Sequence, residues 1–270
     1  MSKFALMVFA DQRKAYEGVH ALQQLHAEGS LTVWGTDVLQ RDADGKVTFA
    51  RRDDQGPLGA GLGALAGGLV GLFGGPVGAA VGVAVGATAG GVSDLFELGV
   101  SDEFLAAVER DLAPGKVAVI AEVSEDWIVP LDTRMEELGT KVVREDRLAF
   151  AEDALEKRVK ARKARLAELK AERAKHRAER VTELQTLLTA EVEEERRKLR
   201  SIAEKSEKRL DGARQELNAK IEALRAQASE AGAEARSRIE ERMAEVRRDF
   251  AEREQKLKQA RELTRQALHP

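Results

Sequence analysis

Hydrophobic positions follow three different rhythms along the chain, and each predicts a different kind of structure. In residues 1–55 and 94–146, short apolar runs alternate with helically spaced ones. Residues 3–10 are apolar enough for a strand buried on both faces. A helix is expected over about 11–28, with Ala15, Val19, Leu22 and Leu25 on one side and Gly29 as its stop. Strands follow over about 31–41 and 46–51, joined through Asp44-Gly45, a strong hairpin signal. After residue 94, Ser101 caps a helix over about 102–112 that turns Phe104, Leu105 and Val108 inward. Pro114-Gly115 ends it, and 117–123 reads as a central strand. A helix over about 127–138 tolerates Pro130 only in its first turn, and a last strand covers 141–146. This order predicts an α+β head, an antiparallel or mixed sheet with helices on one face, as in a ferredoxin-like sandwich.

The second rhythm occupies residues 56–93, where no side chain is charged. Glycine recurs there every fourth residue: Gly59, Gly63, Gly67, Gly71 and Gly75, then Gly74, Gly78, Gly82, Gly86 and Gly90. A four-residue step stays close to one helix face, so each run draws a groove of bare backbone. Each glycine costs an exposed helix about 0.8–1 kcal/mol relative to alanine, which makes sense where helices approach closely. Leu58, Leu62, Leu65, Leu69 and Leu72 share another face, suited to lipid or to a neighbouring core. Gly74-Gly75-Pro76 marks a turn, and Val77, Val81 and Val85 repeat the plan on a second arm. Each arm of about 17 residues spans about 25 Å, slightly short of a hydrocarbon core of about 30 Å. A glycine-zipper hairpin follows, either re-entering lipid from one side or packed within an oligomer. Gly59, Gly63, Gly67, Gly71, Gly78, Gly82, Gly86 and Gly90 are its expected helix-packing and oligomerisation residues.

Residues 147–270 carry the third rhythm, dominated by alanine, glutamate, lysine, arginine and leucine. Nothing there breaks a helix strongly except Gly212 and Gly232, so one long helix or coiled coil is expected, about 180 Å if unbroken. A seam runs through Leu210, Ala213, Leu217, Ile221, Leu224, Ala228, Ala231 and Ala235, then Met243, Val246, Phe250, Leu257, Ala260, Leu263 and Ala267. Between Arg173 and Arg200 that stripe thins.

Charge sharpens the division. Residues 1–146 hold 12 Lys/Arg against 22 Asp/Glu, whereas 147–270 hold 32 against 25. An acidic head and a basic tail suggest contact between copies or with an anionic surface. Lys157, Arg158, Lys160, Arg162, Lys163 and Arg165 begin the most basic stretch and are the candidate contacts to such a surface. That stretch has no aromatics, so nucleic acid is disfavoured as its partner. There is no cysteine, which excludes disulfides and thiolate chemistry. Asp11 and Arg13 interrupt the first apolar run, so no export signal is evident and a cytoplasmic setting, or the cytoplasmic face of the inner membrane, is expected.

No chemistry converges. His20 and His26 sit six apart on one helix and do not share a face, and no Ser/His/Asp constellation can be named. A loose dinucleotide match, Gly61, Gly63 and Ala66, lacks an acidic residue at the required distance. No catalytic residue, cofactor, metal or small-molecule substrate is therefore expected.

The opening strand and helix, the Asp42-x-Asp44-Gly45-Lys46-Val47 hairpin and the Gly/Ala-rich segment occur together with two further motifs. These are Leu98-Gly99-Val100-Ser101-Asp102-Glu103-Phe104 and the Leu112-x-Pro114-Gly115 turn. In this combination residues 1–150 resemble the bacterial domain of unknown function 1269 family, often described as an uncharacterised membrane protein. The resemblance implies a ferredoxin-like domain with an inserted glycine-rich hairpin and no catalytic residues, and the long helical tail departs from it. The function expected is that of a structural protein, a membrane-associated or self-assembling scaffold that homo-oligomerises. The alternative is a binding module whose basic helix recruits nucleic acid or an acidic partner to the membrane.

Overall fold

A computed structural model of the chain describes residues 2–52, 56, 58–73, 100–146, 151–177 and 182–268. These residues form a mixed α+β structure of five strands and seven helices. In chain order they are β1 (Ser2–Phe9), α1 (Gln12–Ala27), β2 (Leu31–Arg41), β3 (Val47–Arg51), α2 (Ala60–Phe73), α3 (Asp102–Asp111), β4 (Val117–Glu125), α4 (Val129–Glu137), β5 (Val142–Asp146), α5 (Ala151–Arg177), α6 (Thr182–Glu230) and α7 (Ala233–Leu268). Two compact units result: residues 1–151 with 215–249, and residues 152–214 with 250–270.

In the first unit the sheet order is β3-β2-β4-β1-β5, and every paired neighbour is antiparallel. β4 lies between β1 and β2, so both of its edges are paired, and eight of its nine residues are buried. The sequence accounts for much of this. Asp11 caps α1 by accepting from the Lys14 N–H, and Ser101 caps α3 by accepting from the Phe104 N–H. Gly29, Gly45, Gly115 and Gly139 take positive φ at the turns after α1, in the β2–β3 hairpin, before β4 and before β5.

Helices lie on both faces of the sheet, not on one. Ala5, Met7, Phe9, Val119, Ala121 and Val123 face α1 and α4. The opposite side chains, Phe4, Leu6, Leu39, Ala118 and Ile120, pack against α2 and α3. The leucine stripe of α2 makes the difference: Leu62, Leu65 and Leu69 are 1%, 0% and 0% exposed, sealed onto the head's own sheet. Gly35 in β2 lets α2 approach, since a Cβ there would come 3.2 Å from Leu62 Cδ2. Covering the second face removes from water a surface that a one-sided sheet would leave wet.

The tail is helical as expected but not one helix. Gly212 is absorbed within α6, whereas the chain leaves the helix at Ala231-Gly232. The Arg236 guanidinium donates to the carbonyls of Ala228 (3.1 Å) and Ala231 (3.4 Å), occupying acceptors that α6 leaves unpaired at its end. Residues 215–230 and 233–249 then form a helical hairpin within the first unit. Its Ile221, Leu224, Ile239 and Val246 enclose Trp34 of β2, which is 1% exposed.

The second unit is made of helices alone among the described residues. Leu155, Val159, Ile202, Leu210, Leu257 and Ala260 form one cluster. Leu166, Leu169, Leu188, Val192, Leu199 and Ala267 form another. Most later seam positions are buried here, so the stripe packs within the chain.

Gly29 has a φ of +72°, and a Cβ there would lie 2.7 Å from the Cβ of Ala235. Gly29→Ala is therefore expected to destabilise the first unit by about 1–3 kcal/mol. Urea unfolding followed at Trp34 checks this, and an unchanged midpoint would contradict the packing of α7 on this turn.

Candidate functional site

The apolar face of β4 ends at Ile120. Glu122 and Ser124 follow on the same side, and both are buried. A buried carboxylate is tolerated only when paired and hydrogen-bonded. Lys220 of α6 supplies the pairing. Its ammonium donates to Glu122 Oε1 (2.6 Å), Ser2 Oγ (2.9 Å) and Glu216 Oε1 (3.1 Å), so each of its three hydrogens has an acceptor. The same nitrogen lies 4.8 Å from the Trp34 ring centroid, and the indole N–H donates to Ser124 Oγ.

A second group extends the contact to the turn after α1. Arg242, 1% exposed, donates to both carboxylate oxygens of Asp126, to Thr32 Oγ1 and to the carbonyls of Gly29 and Ser30. Gln227 accepts from the Thr32 hydroxyl and donates to the carbonyls of His26 and Leu31. His26 Nδ1 accepts the Val33 N–H at 3.2 Å, which places the ring proton on Nε2. Burial, and then the charge of Arg242, hold the His26 pKa below its ordinary value. Glu122, Lys220 and Arg242 are closed off from solvent, and the arrangement holds helix to sheet. Sequence reading passed over Lys220, Gln227 and Arg242 because long helices carry many charges. The available signal was a glutamate interrupting the apolar run of β4.

The residues singled out by sequence fall into separate places. Gly59 and Gly67 are buried, Gly63 and Gly71 are half-buried, and Gly78, Gly82, Gly86 and Gly90 lie outside the described residues. Gly59 faces Gly35 of the head itself. Among the described residues, a Cβ at Gly63 would meet only the far end of Arg52, at 3.3 Å, and one at Gly71 would meet nothing within 4 Å.

The basic stretch engages acidic residues of its own unit. Lys160 pairs with Glu156, Arg162 with Glu195, and Arg165 with Glu168 and Glu191. Lys163 donates to Gln266, Arg158 also has a partner, and Lys157 is exposed. Burial pushes the Glu195 pKa up, but hydrogen bonds from Lys198 and Arg162 outweigh it and hold the carboxyl below its usual range. Among the described residues no group of three or more His, Asp or Glu side chains could hold a metal ion. An open groove of about 680 Å³ is lined by Leu6, Val8, Lys116, Thr140 and Lys141 among others. The Thr140 hydroxyl in it is spent on the Val8 backbone, at 2.7 and 3.2 Å.

What fold and contacts define is an α+β protein whose sheet carries a clamped helical hairpin and whose chain continues into a second, helical unit. Residues 60–160 match the model of the family described as "Protein of unknown function (DUF1269)", which supports the resemblance read from the sequence over that part of the chain. The match begins inside the glycine-rich segment and includes β4 with Glu122. No curated protein and no solved structure matches the chain.

Lys220→Met is expected to destabilise the first unit by about 3–5 kcal/mol, because it strands the buried charge of Glu122. Adding Glu122→Gln should recover part of that loss in a urea titration, and a single variant as stable as the parent would refute the pairing. His26 makes a pH prediction. Its folded pKa is depressed, so the unfolded chain binds the proton more tightly and acid favours unfolding. The stability it contributes is complete above the unfolded pKa of about 6.5 and is lost as pH falls through the lower folded value. The unfolding midpoint should fall between about pH 7.5 and 5 by less in His26→Gln than in the parent. Equal pH dependence of the two would count against it.

Proposed function

We propose that the protein is a non-enzymatic structural protein, a scaffold that associates with further copies of itself through the glycine-rich segment of residues 56–93. In this reading the head is ferredoxin-like and β3 is an added edge strand. The observation that carries the proposal is the division of labour on α2. Its leucines are used up on the head's own sheet, while Gly63 and Gly71 remain half-buried with at most one flexible side-chain end near the position of a Cβ. Small residues at one helical spacing allow two backbones to approach, in lipid or in a dry protein interface. No described helix is long and apolar enough to cross a membrane. Gly78, Gly82, Gly86 and Gly90, which lie outside the described residues, are proposed to contribute to the same self-association.

Recruitment of nucleic acid or an acidic partner by the basic helix is the weaker reading. Several of its cations already meet carboxylates of α5 and α6, so fewer charges are left to release counterions from a phosphate backbone.

The test uses Gly63→Leu with Gly71→Leu, where an added Cβ meets only the flexible end of Arg52 at Gly63 and none of the described residues within 4 Å at Gly71. The double variant should keep the circular dichroism and thermal midpoint of the parent. Its particle mass by light scattering should fall toward that of a single chain. An unchanged mass distribution at constant stability would refute the proposal.

A further inference from the structure

Five large hydrophobic side chains are exposed among the described residues, and three of them are consecutive: Trp127 (51%), Ile128 (47%) and Val129 (64%). Tyr16 and Leu187, the other two, stand on separate helices. Chance exposure scatters such residues singly, whereas a contiguous group marks a contact surface. The group sits where β4 ends and α4 begins, and its backbone is held. Asp126 is gripped by Arg242, and Arg144 binds Glu125 and Asp132 and donates to the Ile128 carbonyl at 3.5 Å. Pro130 fixes the first turn of α4. A short chain segment is thus held with its apolar side chains outward.

We propose that Trp127, Ile128 and Val129 form a tip that inserts into the headgroup region of a lipid bilayer. Three observations select lipid over a protein partner. Three side chains, even fully covered, offer far less than the ~800 Å² per partner of a stable protein interface, whereas shallow insertion of one aromatic and two aliphatic groups suits reversible attachment to a membrane surface. The indole carries a cation on its face, with the Arg238 guanidinium 5.7 Å from the ring centroid, so an amphipathic ring and a headgroup-seeking charge are presented together. The carboxylates at the base of the tip, Glu125, Asp126 and Asp132, are each bound by an arginine of the fold, which lessens their repulsion of lipid phosphate. Glu234 and Glu241 flank Arg238 on α7 and are exposed, so apolar insertion rather than net charge drives the contact. The tip and the glycine-faced helix α2 are different parts of the head.

The chain has two tryptophans, and they separate the tip from the rest. Trp34 is buried beneath the helical hairpin, so Trp127 is the ring open to its surroundings. The full chain is mixed with vesicles of phosphatidylcholine and phosphatidylglycerol carrying brominated acyl chains, and tryptophan emission is read. Loss of emission is expected in the parent, little loss in Trp127→Phe, and a smaller loss in Ile128→Ser with Val129→Ser at unchanged circular dichroism. The proposal is overturned by unquenched emission in the parent, or by quenching that persists equally in Trp127→Phe. It is also overturned if the double serine variant lowers particle mass without lipid, which would make the tip a contact between copies. Gly63→Leu with Gly71→Leu should leave the quenching intact, so failure of either proposal can be told from failure of the other.

Discussion

A carboxylate in the middle of a buried strand is the constraint around which this molecule is organised. Glu122 has no exposure, and its strand is paired along both edges, so the charge cannot turn away to water. Compensation comes from the ammonium of Lys220, 98 residues further along the chain. Once that contact forms, Trp34 is roofed over and Arg242 and Gln227 close on the turn after α1. The hairpin of residues 215–249 is consequently as much a part of the head as the strands it covers. Apolar packing against Ile221, Leu224, Ile239 and Val246 supplies attraction. The polar contacts specify the register, because sliding the helices by one turn would leave Lys220 and Arg242 buried without partners.

The local elements of the head were legible because each is written in a few neighbouring residues. Asp11 and Ser101 are caps, Gly29, Gly45, Gly115 and Gly139 are turns, and the apolar run after Gly115 is a central strand. Layering was harder. The leucines of α2 suit lipid, another subunit or the chain's own sheet equally well, and only the fold shows that they close the second face. The tail was harder still. Gly212 and Gly232 are the same residue in similar company, yet only the second ends a helix, where Arg236 can bind the freed carbonyls. Periodicity shows that a face is apolar without naming what covers it, and a lysine on a charged helix resembles every other lysine until its neighbour is known. The six basic candidates illustrate this, since their partners include Glu191 and Glu195 of the same unit.

The two units therefore use charge differently. In the first, a few ions are buried and geometrically matched, where loss of one partner is severe. In the second, the pairs are mostly half-exposed, and each contributes little by itself. There, stability rests on the leucine, isoleucine and valine clusters, and the charges chiefly keep a long helical surface soluble.

The distance along the chain between Glu122 and Lys220 has a consequence for biosynthesis. Translation delivers about 5–20 residues per second, so roughly 5–20 s separate the appearance of the acid from that of its base. During that interval a nascent head has strands but no lid for Trp34. The buried acid of β4 is thus synthesised well before the base that neutralises it, and this contact can form only after Lys220 has emerged.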